Sequence, residues 1–179
     1  MLKTAFIGHR DIFVNDIYER LNEVITSEIE SGCNSFTMGT HGKFDCLALS
    51  ACRQLRKTFP KIEIEVVITN LNILKKGRAS QEAPYSDVKT VMYEIEEAHY
   101  KQQIILSNKQ MIDTCDTLIC YVNSKHRQSG AKMIMNYAKR NGLRIINLYR
   151  EEDDILTGMT NDQIKKHFES ISPNQFNKE

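Results

Sequence analysis

No apolar run in this chain of 179 residues approaches the roughly 20 needed to cross a bilayer, the longest being comparable to residues 117–122. The N-terminus carries one Lys and passes straight into a strand-like segment, so the expectation is a soluble, cytoplasmic protein. A surplus of charge of either sign is also lacking: 24 Lys plus Arg face 23 Asp plus Glu, a net charge of +1. No broad field then draws in bulk nucleic acid or an anionic membrane, and any bound anion must be held by a local site. The five cysteines, Cys33, Cys46, Cys52, Cys115 and Cys120, form no CxxC pair and no Cys–His pair at zinc-ligand spacing. Neither a disulfide framework nor a metal site is expected, and four of the five fall in apolar surroundings where cysteine serves as a small core residue. The GxGxxG fingerprint, the GxxxxGK phosphate loop, internal repeats and low-complexity tracts are all missing. What is present is ordinary for a globular chain, 41% hydrophobic and 26% charged residues. The length suits one domain over residues 1–150 and a C-terminal tail over 151–179 with a candidate short helix.

The apolar pattern alternates between strand and helix. Residues 2–7 form a run broken by Gly8, and Ile17, Leu21, Val24 and Ile29 then follow helical spacing up to Ser31-Gly32. A second strand over 35–38 leads to a helix over 45–58, with Asp45 as its N-cap and Pro60 as its stop, and a third strand covers 63–68. Residues 86–100 read as helical, and Ser107 with Gln110 has the form of a capping box opening a short helix to Thr114. Residues 117–122 read as a strand, 130–141 as a helix ended by Gly142, and 144–148 as the last strand. Residues 70–84 have no period and carry Lys75, Lys76 and Arg78, the pattern of a mobile excursion that could order on ligand binding. Thr160 with Gln163 reads as the cap of a terminal helix docking Ile164 and Phe168. The alternation predicts an α/β domain in three layers, with a mostly parallel sheet of about five strands between helices.

In such a sheet the ligand crevice lies beyond the C-terminal ends of the strands. Gly8-His9-Arg10 follows the first strand, Gly39-Thr40-His41-Gly42 leads from the second to Asp45, and Ser129-Gly130-Ala131 precedes a helix after the fourth. Glycine permits close backbone approach, amides at a helix N-terminus suit a phosphate, and Arg10 adds a planar two-point contact to the same anion. Plain turn chemistry accounts for each glycine taken singly. Arg10 has the alternative of a surface pair with Asp11, His9 that of a hydrogen-bonded structural residue, and Asp45 can cap a helix and face a ligand at once. Asp113 and Asp116 read as solvated or capping positions.

The ordered series Ala5-Phe6-Ile7-Gly8-His9-Arg10, Gly39-Thr40-His41-Gly42-Lys43-Phe44-Asp45 and Asp116-Thr117-Leu118-Ile119-Cys120-Tyr121 resembles the SLOG superfamily. Within it the series is similar to the bacterial GHR-motif, YpsA-like branch, whose glycine turn and following Ala-Lys segment correspond here to Ser129-Gly130-Ala131 and Tyr137-Ala138-Lys139. The resemblance implies a Rossmann-like fold that binds a nucleotide or nucleotide-derived small molecule, often as a homodimer, in roles from ligand sensing to hydrolysis of nucleoside monophosphates. Hydrolytic relatives carry a P-G-G-x-G-T-x-x-E segment whose Glu works with an Arg on the ribosyl bond. Here Gln128-Ser129-Gly130-Ala131-Lys132-Met133-Ile134-Met135 has no Pro, one Gly and no acidic residue. An N-glycosidase needs a carboxylate or its equivalent, so this departure argues against that reaction unless Asp45 or Asp87 substitutes. Ser107 stands where relatives carry Arg before Asn, which removes one cationic contact and leaves Asn108 as a candidate partner for a base or ribose.

The candidate ligand residues are Gly8, His9, Arg10, Gly39, Thr40, Gly42, Asp45, Asn108, Ser129, Gly130 and Ala131, with no cofactor or divalent ion specified. The leading expectation is binding or sensing of a nucleotide-derived ligand. The alternatives are a hydrolase of such a ligand with Asp45 or His9 as acid or base, and a protein-interaction module with a vestigial pocket.

Overall fold

Thr4, Ala5, Phe6 and Ile7 are buried in succession, so β1 (Leu2–Gly8) is covered on both faces, as a central strand of a parallel sheet must be. The computed structural model describes residues 2–12, 14, 16–69, 85–95, 99–125 and 129–153. Five further strands join β1: β2 (Cys33–Met38), β3 (Glu63–Val67), β4 (Lys89–Val91), β5 (Thr117–Tyr121) and β6 (Arg144–Asn147). All pairings are parallel, in the order β4-β3-β2-β1-β5-β6. The chain builds outward from β1 to β4, then returns to the other side of β1 for β5, which puts the topological switch between β1 and β5.

Four helices cover the sheet. In α1 (Ile17–Glu30) the buried Ile17, Leu21 and Ile25 recur every fourth residue, and in α2 (Lys43–Arg56) Phe44, Ala48 and Cys52 do the same. Both stripes pack with Phe6, Phe36 and Ile64 in one core. On the opposite face Met111 and Ile112 of α3 (Tyr100–Asp113) join Ile134 and Ala138 of α4 (Gly130–Arg140) over Ala5, Ile7, Leu118 and Cys120. This is the three-layer, Rossmann-like α/β arrangement. Gly32 (φ 95°) and Gly142 (φ 79°) follow α1 and α4 in the left-handed conformation that lets the chain turn away. Among the described residues no helix is long and apolar enough to cross a membrane.

Several local expectations are corrected. The sheet has six strands rather than five, because β4 forms inside the stretch expected to be helical over 86–100; Val66 pairs with Thr90 and Val67 with Val91, and this tertiary pairing outweighs local propensity. α3 runs unbroken from Tyr100, so Ser107 is a buried mid-helix residue and its apparent capping box with Gln110 is coincidental. The N-cap of α2 is Gly42, which places Asp45 at the third helical position, and the helix ends at Arg56 rather than Thr58. Cys33, Cys52 and Cys120 are buried, Cys115 is partly so and Cys46 is exposed. The excursion over 70–84 and the helix capped by Thr160 lie outside the described residues.

Candidate functional site

The C-terminal end of β1 with the two residues after it, the loop after β2, the first turns of α2 and α4, and the middle of α3 enclose a cavity of about 330 Å³. Gly8, His9 and Arg10 line it from the end of β1; Gly42 and Asp45 from the start of α2; Asn108 from α3; and Ser129, Gly130 and Ala131 from the start of α4. Nine of the eleven residues singled out in the sequence thus meet at one cavity. Gly39 and Thr40 do not line it. Gly39 sits just behind, where a Cβ would lie 3.3 Å from Oδ2 of Asp45, and the buried Oγ of Thr40 has no hydrogen-bond partner among the described residues. His41, Ile7, Ile104, Ile105 and Ile134 complete the lining. Ile7 and His41 lay within the first and second motifs and Ile134 within the helix expected over 130–141, whereas Ile104 and Ile105 fell between the two helices expected over 86–100 and 107–114.

The first glycine has a packing role. A Cβ on Gly8 would collide with the Phe44 ring, so this position lets the first turn of α2 close against the end of β1. Gly42 serves likewise, with the Arg10 Cα 3.2 Å from where its Cβ would be. Gly130 differs: among the described residues, apart from its chain neighbours and its own helix backbone, no atom lies within 4 Å of a Cβ built there, and its φ is not positive, so neither that packing nor backbone strain requires glycine.

His9 ties the two sides of the switch together. Its backbone amide donates to the Tyr121 carbonyl at 3.2 Å, and its Nε2 accepts from the Asn123 amide at 2.9 Å. An accepting Nε2 carries no proton, so the neutral ring holds its proton on Nδ1, 3.4 Å from the Ser129 Oγ. Ser129 is the N-cap of α4 and accepts from the Lys132 amide at 3.3 Å. His9 therefore sets the start of α4 relative to β1, in line with the structural alternative for this residue. The amides of Gly130 and Ala131, in the first turn of α4 and on the cavity wall, have no acceptor among the described residues.

Arg10 is exposed; its Nε makes a long bond of 3.3 Å to the His41 carbonyl, and its own carbonyl receives the Lys43 amide at 2.8 Å. The surface pair with Asp11 is not formed among the described residues, so the guanidinium has no carboxylate partner there. Burial, with the nearby Arg10 charge, lowers the His41 pKa, and its Nε2 lies 3.1 Å from the Thr69 hydroxyl. Asp113 and Asp116 are structural, the former accepting from Tyr137 and Asn141 and the latter from the Lys3 amide. Asp87, paired with Arg53 and Arg56, is also away from the cavity.

Asp45 is the carboxylate among the described lining residues, and its Oδ2 accepts from the amides of His41 at 2.9 Å and Gly42 at 3.1 Å. Burial pushes its pKa up to about 6, against the opposing pull of those two amides. A carboxyl raised above its unfolded value binds more protons folded than unfolded, so its contribution is most favourable at low pH and is lost as pH rises through 6. Asp45→Asn keeps an acceptor for both amides and removes the charge. Its stability relative to wild type is expected to improve by roughly 2 kcal/mol between pH 4.5 and pH 8, read from urea unfolding at both pH values. A difference that does not change with pH would contradict this environment. A carboxylate kept at a cost to stability on the wall of a cavity is the pattern of a functional residue.

Among the described residues no group of three or more His, Cys, Asp or Glu side chains is placed to hold a metal ion. No protein-family model matches the chain, and no curated protein matches it either.

Proposed function

We propose that the chain is a SLOG-like protein that binds a nucleotide or nucleotide-derived small molecule and serves as a ligand sensor. The observation that carries this reading is the meeting, at one cavity of about 330 Å³ beside the topological switch, of the Arg10 guanidinium, which has no carboxylate partner among the described residues, and the amides of Gly130 and Ala131, which have no acceptor there. That combination suits an anionic group, and the volume falls within the range of small-molecule pockets. Asn108 and Asp45 add polar partners for a ribose or base on the same walls. The homodimer implied by the resemblance and the cytoplasmic setting expected from the sequence belong to this proposal.

Sensing is favoured over hydrolysis because, apart from Oδ1 of Asp45, the groups suited to proton transfer are engaged or missing among the described lining residues. The first turn of α4 carries no acidic residue, Oδ2 of Asp45 holds two amides, and Nε2 of His9 accepts from Asn123. Thermal unfolding with a panel of nucleoside mono-, di- and triphosphates tests the proposal. A ligand at a hundred times its dissociation constant is expected to add about 2.7 kcal/mol. No free base should appear by chromatography at turnover rates ordinary for enzymes, about 1 per second or faster. An unshifted transition with every nucleotide would favour an interaction module; rapid base release would favour the hydrolase.

A further inference from the structure

On the face of the sheet that carries α3 and α4, the two helices leave between them an open groove of about 1020 Å³. Its apolar floor is Ile104, Ile105 and Met133, and its charged residues are Lys101, Lys132, Lys139 and Arg140; no carboxylate lines it among the described residues. Met133 is 41% exposed, on a helix that buries Ile134, Met135 and Ala138 on its other face. The groove and the cavity share Ile104, Ile105, Ser129 and Gly130, so they form one continuous cleft. At about 1.5 Å of rise per residue, Lys139 and Arg140 lie roughly 14 Å along α4 from the amides of its first turn. A single phosphate at Gly130 cannot also reach them.

A basic groove lined by no acid among the described residues opposes direct contact of this face with a second copy about a twofold axis, because each basic rim would meet its own image. It suits an anionic occupant continuous with the one in the cavity. We propose that the groove is a second anion subsite of the same cleft and that the ligand is a short linear oligonucleotide. Its 5′-phosphate sits at Arg10 and the start of α4, a base lies on Ile104, Ile105 and Met133, and later phosphates meet Lys139 and Arg140. A local basic track of this kind binds a few nucleotides of single strand without a large net charge on the protein. The inference rests on the nucleotide reading of the cavity.

Titration of the full chain with AMP and with the 5′-phosphorylated trinucleotide pApApA separates the two ideas. The trinucleotide is expected to bind at least about tenfold more tightly than AMP, as added charge-assisted contacts require. The double variant Lys139→Gln/Arg140→Gln, at two exposed positions, should erase that advantage and leave AMP affinity unchanged. Equal affinities for AMP and pApApA in wild type would overturn the second subsite alone, and are what a groove built for an acidic protein partner would give. An advantage that survives the double variant would overturn it as well. Failure of both ligands to bind would overturn the nucleotide reading and this inference with it.

Discussion

Arg20→Ala is expected to destabilise the protein by about 3–5 kcal/mol, a large part of the whole stability of a domain this size. The side chain is only 8% exposed and every donor of its guanidinium is used. Two bonds go to Asp153, at 2.8 and 3.0 Å, two to Asp16, at 2.9 and 2.8 Å, and one to the Leu148 carbonyl at 3.0 Å. Asp153, itself 4% exposed, also accepts from the Tyr121 hydroxyl and the Arg150 amide. The network therefore fastens α1 to the end of β5 and to the single turn at Glu151–Asp153 beyond β6. Burial alone would push the Asp153 carboxyl up, but the Arg20 hydrogen bonds hold it below the usual carboxylate range. Without Arg20 that carboxylate is left in a dry site and its pKa must rise. Acidification then relieves the variant, whereas wild type loses the contribution of a depressed carboxyl as pH falls through its folded pKa. Urea unfolding at pH 5 and pH 8 should show a deficit that narrows at the lower pH. A loss below about 1 kcal/mol at both would mean that the pair behaves as a solvated surface bridge.

The parts of this fold written in local sequence were legible. Ala5, Phe6 and Ile7, like Leu118 through Val122, are apolar in succession because both faces of β1 and β5 are covered there, and that pattern reads as a central parallel strand without tertiary information. The strand-loop-helix order placed the three motif loops at one edge, and nine of the eleven proposed residues do line one cavity. β4 was not legible: it is three residues long, has no buried position, and exists because β3 offers it a parallel ladder. The same stretch also contains apolar residues at spacings that suit a helix. Ser107 misled for a related reason, since a capping box signals a helix start only where the amides of the turn it opens lack acceptors, and in α3 the helix is already under way. The roles of Gly8 and Gly130 needed coordinates. Sequence shows glycine at both, but only packing separates a position closed by Phe44 from one open to the cavity. Ile104 and Ile105 belong to the site because the crossover into α3 brings that helix over the β1/β5 switch, a consequence of topology rather than of any local motif.

The central claim is that Arg10 and the start of α4 hold an anionic group. Arg10 is exposed and makes one long bond to a carbonyl, so Arg10→Ala should leave the unfolding midpoint nearly unchanged. A lost charge-assisted contact to a phosphate costs about 1.5–3 kcal/mol, which is roughly tenfold to more than a hundredfold in affinity. Gly130→Val makes a companion variant, because no neighbouring atom among the described residues and no positive φ penalises the added side chain, while the branched group would stand in front of the α4 amides. The most direct measurement is calorimetric titration of wild type and Arg10→Ala with the nucleotide giving the largest thermal shift. The account predicts a dissociation constant at least about tenfold weaker for the variant at unchanged stability; the same dissociation constant for both proteins would contradict it and move the ligand to another edge of the sheet.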